Sequence, residues 1–306
     1  MPSNGKQSDQ ATQPYVGRFA PSPTGPLHFG SLLAALASFL DARSRQGRWL
    51  VRMEDLDRDR EPPGAADTIL ATLEAFHLQW DGDVLFQSQR LEAYQHGLDH
   101  LRDKGLLYKC NCPRQRLRLL QGVYDGHCRQ QPPAPGDPWA ARIRVPDETW
   151  SFHDRIQGFH AQNLARECGD FVLYRRDGIP AYQLAVTIDD DWQRVTHIVR
   201  GYDLLDSTPR QLYLQHVLGL PLPVYAHIPL ASSTSGAKLS KQNLARPLDT
   251  NNASESLYRA LRFLGQKPPH ALREETPETQ IAWAIGQWDI QTVPKLATIP
   301  VDPTLA

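Results

Sequence analysis

The sequence predicts an α/β protein on three observations: a strand–loop–helix–strand opening, a cysteine-bearing stretch in the middle, and a short helical segment at the end. Residues 15–20 read as a strand that empties into the turn-rich Pro21-Ser-Pro-Thr-Gly-Pro26. Over 31–44, Leu32, Leu33, Leu36, Phe39 and Leu40 recur at helical spacing, and Gly47 ends the run. A second buried strand follows at 49–53, then helices at 65–76 and 90–104. Cysteines cluster from Cys110 to Cys128, and Gln131-Pro-Pro-Ala-Pro-Gly-Asp-Pro138 is a loop. Strands are expected at 140–145, 170–175 and 195–200, and a helix at 209–218. A small polar loop with lysines spans 231–243, and helices at 254–264 and 279–288 close the chain. The expected division is a disordered tail (1–14), a first α/β half (15–104), a cysteine-bearing insertion (105–172), a second half (173–248) and a helical segment (249–306).

Of the 306 residues, 41% are hydrophobic and 22% charged, ordinary globular usage that excludes wholesale disorder. The longest apolar run, 32–40, is broken by Ser38 and is too short to span a bilayer. Residues 1–14 are polar with no apolar stretch, so no secretory signal is expected. Four cysteines in a chain of this length point to a reduced, cytoplasmic setting rather than a disulfide scaffold. A monomer without membrane contact is the expectation. The net charge of −1 makes no case for nucleic acid, yet residues 104–129 carry six basic side chains against one acid, Asp125. That run is either a solvated basic face or a grip for a phosphate backbone.

The most informative stretch runs from Gly17 to Ser31. A strand, a Pro/Gly loop and a helix start place exposed N–H groups and a positive dipole at His28-Phe-Gly-Ser31, an arrangement that favours phosphate. Gly30 allows close approach of a nucleotide, and His28 can donate to a phosphate oxygen.

These residues resemble a known family. His28-Phe-Gly-Ser31 is similar to the HIGH signature of class I aminoacyl-tRNA synthetases, and Arg18-Phe-Ala-Pro-Ser-Pro-Thr-Gly25 resembles the form found in glutamyl- and glutaminyl-type enzymes. In order, 210 residues downstream of His28, Lys238-Leu-Ser-Lys-Gln242 resembles KMSKS. The resemblance implies a Rossmann-like catalytic domain that binds ATP, with Mg²⁺ on the phosphates, through His28, Gly30, Ser31 and Lys241. The reaction implied is attack of an amino-acid carboxylate on the α-phosphate, with His28, Lys241 and, less directly, Lys238 stabilising the transition-state charge.

Arg52-Met-Glu-Asp-Leu-Asp57 follows the second strand and resembles the family's R-x-E-D-x-D run, which implies that Glu54 binds the α-ammonium of the amino acid. By the same resemblance Arg18, Phe19, Ala20, Pro21, Ser22, Tyr182 and Arg200 surround glutamate. Two guanidiniums suit a ligand with two carboxylates, and leaving them unpaired would penalise glutamine. Asp59 and Glu61 read as a solvated acidic loop, and Asp189-Asp-Asp191 as an exposed turn. His96 and His100 lie four apart on a helix and read as surface histidines.

Cys110-Asn-Cys112 with Tyr124-Asp-Gly-His-Cys128 has the look of a structural Zn²⁺ site. Spacing nominates Cys110, Cys112, Cys128 and His127; the family resemblance, through a C-x-C…Y-x3-C pattern, implies Tyr124 as the fourth ligand. Cys168 stands outside the cluster and reads as a buried apolar residue.

The resemblance spans residues 15–245, and about 60 residues follow it. Tyr124, the cysteine pattern, Lys238-Leu-Ser-Lys-Gln-Asn243 and the short remainder resemble the glutamyl-queuosine tRNA(Asp) synthetases, which implies glutamate transfer to the queuosine base of tRNA(Asp). A compact glutamyl-tRNA synthetase is the second reading, and a catalytically inactive RNA-binding paralogue the third.

Overall fold

A computed structural model describes residues 14–232 and 246–301. Strand β1 (Val16–Phe19) leads through the Pro/Gly loop into helix α1 (Phe29–Arg43), and β2 (Arg48–Met53) returns parallel to β1, with Arg18 beside Leu50. Helix α2 (Ala65–Ala75) precedes β3 (Leu85–Phe86), which adds parallel to β2. After α3 (Leu91–Asp103) comes the middle of the chain: β4 (Leu107–Cys110), α4 (Arg114–Leu119), α5 (His127–Gln130), β5 (Ala140–Ile143), β6 (Thr149–Asp154), β7 (Gly158–Asn163), α6 (Leu164–Glu167) and β8 (Phe171–Tyr174). Here the pairing turns antiparallel, with one sheet in the order β4-β5-β8 and β6-β7 as a separate hairpin.

Helix α7 (Tyr182–Trp192) then leads into β9 (His197–Gly201), α8 (Thr208–Leu218) and β10 (Val224–Ile228), with β9 and β10 parallel. The edge of β9 meets β1 where Thr196 N–H donates to Val16 O at 2.9 Å and Val16 N–H donates to the Thr196 hydroxyl at 2.9 Å. Parallel strands β3-β2-β1 and β9-β10 therefore lie side by side, and their C-terminal ends open on the loop before α1, where open α/β sheets take ligands.

Helix α1 is buried on most of its surface because it is sandwiched. Leu32, Leu36 and Leu40 share one apolar core with Phe19, Trp49 and Val51 of the sheet. Leu257 and Leu261 of α9 (Ala253–Phe263) and Ile281 of α10 (Pro277–Gln287) belong to that same core. The segment expected to be helical also contributes a strand, β12 (Thr298–Pro300), parallel to β11 (Leu230–Ser232). A second core joins α3, α7 and α8 to β5 and β8 through Leu98, Leu184, Leu214, Ile143 and Leu173. Strand β8 crosses the expected boundary at 172, and the middle segment shares that second core with helices on either side of it.

The predicted strands and helices up to 104 are observed within a few residues. The hairpin β6-β7 was not expected, although Trp150 and Phe152 alternate with the exposed Thr149, Ser151 and His153. One expectation is overturned: Asp189 and Asp190 are not in an exposed turn but inside α7, 0% and 3% exposed. Asp189 takes Arg90, Gln87 and the Tyr94 hydroxyl, and Asp190 takes two arginines described below. Buried acids supplied with such donors are stable where a polar run would otherwise face water.

Candidate active site

The start of α1 forms one wall. His28 is its N-cap: Nδ1 accepts from Ser31 N–H at 3.3 Å, and the Ser31 hydroxyl accepts from His28 N–H at 3.5 Å. This reciprocal capping box satisfies two helix-start donors and fixes the ring, directing its Nε2 edge away from the cap. It also gives Ser31 a task at the fourth position of the HIGH-like motif.

His28, Gly30 and Ser31 line one cavity of about 400 Å³ together with Arg18, Phe19, Ala20, Ser22, Glu54, Tyr182 and Arg200. Ten of the sequence-predicted residues thus meet in one place, within the size range of small-molecule sites. Pro21 is not among the lining residues; its carbonyl accepts Glu54 N–H at 2.9 Å and so places the carboxylate. Lys238 and Lys241 lie outside the described residues. Ser232 ends β11 beside the cavity wall, and Pro247, past the undescribed stretch, bridges antiparallel to His28.

Charge is arranged in layers beneath the cavity. Asp190 accepts from Arg18 Nε at 3.1 Å and from Arg52 Nη1 at 2.8 Å. Burial opposes its ionisation, but the two guanidiniums outweigh that and hold its carboxyl below the usual carboxylate range. Arg52 is 0% exposed and reaches Gln193 at 2.8 Å, with Nη2 3.5 Å from Glu54. Burial pushes the Glu54 carboxyl up, despite the nearby Arg52 and Arg18. A buried carboxylate held above its ordinary range is stabilised by a ligand cation such as an ammonium. The neighbouring acids turn elsewhere: Asp55 accepts from Ser88 N–H at 2.8 Å, and Asp57 pairs with Arg60 at 2.8 Å and Arg175 at 3.3 Å. Asp59 is exposed, as expected.

Arg200 closes the far side on β9. Its Nη1 donates to the Tyr182 hydroxyl at 3.5 Å and its Nη2 to Thr208 Oγ1 at 2.8 Å, and its guanidinium lies 5.4 Å from the centre of the Tyr225 ring. Behind it stand two residues that the sequence reading missed. Arg200 Nε donates to His227 Nε2 at 3.0 Å, and His227 Nδ1 lies 2.6 Å from Asp154 Oδ2. His227 has no local signal, and Asp154 reads locally only as a turn acid, through the N–H groups of Ile156 and Gln157; the link between the two spans 73 positions.

The cysteine cluster is a separate place. The sulfurs of Cys110, Cys112 and Cys128 all lie within 4.8 Å of one another, and the Tyr124 hydroxyl stands 3.5 Å from those of Cys110 and Cys112. That converging donor set has the composition of a four-coordinate metal site. Tyr124 therefore reaches the sulfurs, while His127 is not among the gathered side chains. Arg142, also missed, covers the cluster: its Nε donates to Cys110 Sγ at 3.3 Å and its guanidinium sits 3.9 Å over the Tyr124 ring. Burial opposes the Cys110 thiolate, but hydrogen bonding with Tyr124, the Cys112 backbone N–H and Arg142 brings the thiol down to about 7. Gly169 lets Tyr124 in: at φ +68°, a Cβ there would stand 2.1 Å from Tyr124 O. Cys168 lies outside the cluster and is partly buried.

Comparison with known proteins places these features in a family. The family described as tRNA synthetases class I (E and Q), catalytic domain, matches residues 15–275. A protein of Pseudomonas aeruginosa named glutamyl-Q tRNA(Asp) synthetase is 53% identical over 289 residues, covering 94% of this chain and 98% of its own. The protein of that name from Pseudomonas entomophila is 54% identical over 286 residues, covering 94% and 97%. The crystal structure of a glutamate-tRNA synthetase from Elizabethkingia anophelis superposes with a TM-score of 0.80 at 22% identity, over 96% of this chain and 69% of that one. At that identity the superposition shows a shared fold. The fold, the His28-capped helix and the relatives agree: the chain belongs to the glutamyl-Q tRNA(Asp) synthetase family, within the class I tRNA synthetases (E and Q).

Proposed function

We propose that this protein activates glutamate with ATP to glutamyl-adenylate and transfers the glutamyl group to the queuosine base in the anticodon loop of tRNA(Asp). The observation that carries the reading is the placing of Arg18 and Arg200 with the half-buried Glu54 around one cavity at the start of α1. Glutamate has two carboxylates and one ammonium, and the cavity offers two guanidiniums and one carboxylate. A glutamate carboxylate oxygen attacks the α-phosphorus of ATP, taken as its Mg²⁺ complex; the bond to the β-phosphate oxygen breaks, and pyrophosphate leaves. His28, the N–H groups at the start of α1 and Lys241, with Lys238 as a weaker contributor, stabilise the charge that builds on the phosphate. The activated carboxyl then passes to the RNA with release of AMP.

Cys110, Cys112, Cys128 and Tyr124 would hold a structural Zn²⁺, fastening the middle segment rather than entering the reaction. The RNA would lie across that segment. Of its six basic residues, Arg116 pairs with Asp125, Arg129 with Asp170, and Lys104 donates to Val217 O. Lys109, Arg114 and Arg118 are exposed without a carboxylate partner among the described residues, and these three would meet phosphates. No helix among the described residues is long and apolar enough to cross a membrane; we place the protein in the cytoplasm as a monomer.

The test is glutamate-dependent ATP–pyrophosphate exchange without tRNA, followed by transfer of labelled glutamate to tRNA(Asp) with and without queuosine. Exchange, and label only on queuosine-bearing tRNA(Asp), is the expected result. Label on tRNA(Glu) lacking queuosine would replace this reading with a compact charging enzyme. No exchange at all would leave an RNA-binding protein.

A further inference from the structure

The two arginines of the cavity are anchored in opposite ways. Arg18 rests its Nε on a carboxylate, Asp190, which it shares with Arg52. Arg200 rests on neutral acceptors alone: His227 Nε2 at 3.0 Å, Thr208 Oγ1 at 2.8 Å and Leu204 O at 3.3 Å. Among the described residues it forms no salt bridge. A carboxylate is nonetheless close, one imidazole ring away.

That carboxylate is Asp154, 2% exposed at the end of β6. Its Oδ1 accepts from the backbone N–H groups of Ile156 and Gln157, both at 2.9 Å, and of His227 at 3.1 Å. Its Oδ2 is left for His227 Nδ1 at 2.6 Å. The donors decide the tautomer. Arg200 Nε can only donate, so His227 Nε2 must accept and the ring proton must sit on Nδ1, facing Asp154. The ring must also be neutral, since an imidazolium would point N–H against N–H. Burial, which pulls the imidazole down to about 4 against the opposing pull of Asp154, agrees. His227 and Arg200 are register partners in the parallel pair β9-β10, so their side chains rise from the same face.

We propose that His227, held as its Nδ1–H tautomer by Asp154, is a positioning residue for Arg200: it fixes the guanidinium without neutralising it and thereby sets the preference for the side-chain carboxylate of glutamate over the carboxamide of glutamine. The inference rests on the reading of the cavity as a glutamate site. A direct ion pair between Asp154 and Arg200 would hold the guanidinium equally well but would cancel the charge a substrate carboxylate must find. The interposed imidazole transmits geometry and keeps the anion about one ring width away.

Asp154→Asn is the decisive variant, because it is isosteric. Three backbone N–H groups hold the amide oxygen at the Oδ1 place, which turns the amide NH₂ toward His227 Nδ1. The ring proton must then move to Nε2, where it opposes Arg200 Nε–H. We expect the glutamate KM of D154N in ATP–pyrophosphate exchange to rise about tenfold, with the ATP KM unchanged and the glutamate-to-glutamine ratio of kcat/KM lowered about as much. His227→Leu, which removes the acceptor, should do the same, and His227→Gln, whose amide oxygen can reach Arg200 Nε, should recover part of the loss. Arg200→Ala is the reference. If R200A raises the glutamate KM while folded D154N and H227L keep the wild-type value and selectivity, the positioning role is overturned. If R200A leaves the glutamate KM unchanged, the glutamate reading of the cavity falls instead. Imidazole ¹⁵N shifts of the unmodified protein give an answer that needs no variant to fold: a His227 proton on Nε2, or on both nitrogens at neutral pH, would overturn the proposal.

Discussion

The cavity and the cysteine cluster gather side chains from distant parts of the chain for opposite ends. At the cavity, charged groups are held from behind and left incomplete in front: Arg18 is fixed by its Nε, Arg200 by neutral acceptors, and Glu54 is pushed up by burial. At the cluster, the reactive atoms turn toward one another, with three sulfurs and a phenol converging under the Arg142 guanidinium. A site that must bind and release keeps its charge unbalanced until the ligand arrives. A site that fastens the fold satisfies its donors among themselves.

Glu54→Gln should break the first region without touching the second. Loss of a buried carboxylate facing an ammonium costs about 3 kcal/mol, roughly 100-fold in kcat/KM for glutamate. The pH dependence sharpens the point. With the Glu54 carboxyl above its ordinary range, lowering the pH from neutral neutralises it early, so the glutamate KM should rise as pH falls and lie flat above that transition. In E54Q that dependence should vanish; a wild-type slope in the variant would assign the titration elsewhere. Melting temperature should hardly move.

Cys112→Ser should do the reverse, removing about one Zn²⁺ per chain by metal analysis and about 2.5 kcal/mol of stability, with exchange activity per folded molecule retained. A chelator acting on the unmodified protein should reproduce the shift in melting temperature. Gly169→Ala attacks the same region through the backbone. Strain at positive φ plus the contact with Tyr124 O should cost about 2 kcal/mol, read by thermal or urea unfolding. The smallest effect belongs to Ser31→Ala, which opens the capping box for about 1 kcal/mol of stability. Because the ring of His28 is held by the backbone N–H of residue 31, which S31A keeps, kcat should hardly move; a clear fall in kcat would show that the hydroxyl acts beyond helix capping.

The parts legible in the sequence are those whose signal is local. The strand, Pro/Gly loop and helix start around His28 carry their own periodicity and turn residues, and the charges of Arg18 and Glu54 sit at the ends of readable strands. Asp190 was misread because an acid inside a helix looks like a solvent-facing residue until its arginines are known, and those lie on strands β1 and β2. His227 and Asp154 escaped for the same reason: 73 positions separate them, and they meet where the end of β6 packs against β10. Resemblance nominates Tyr124 and spacing His127; the Tyr124 hydroxyl stands 3.5 Å from two of the sulfurs, and spacing alone carries no sign of it.

Asp41, on α1, carries a consequence for how the chain is made. Its buried carboxylate receives the Tyr15 hydroxyl, the Arg155 guanidinium and the Trp288 indole N–H, which lies 3.1 Å away. In chain order the helix at the cavity comes early, with Tyr15 already before it, but its interior acid waits for a cation 114 residues later and an indole N–H 247 residues later. Until Arg155 is in place Asp41 must stay hydrated or bear the cost of a buried charge without a counter-ion, so α1 settles fully against the sheet only once the middle of the chain has folded onto it. The wall that α1 gives the cavity therefore depends on Arg155 and Trp288, far downstream, and not on the opening strand, loop and helix alone.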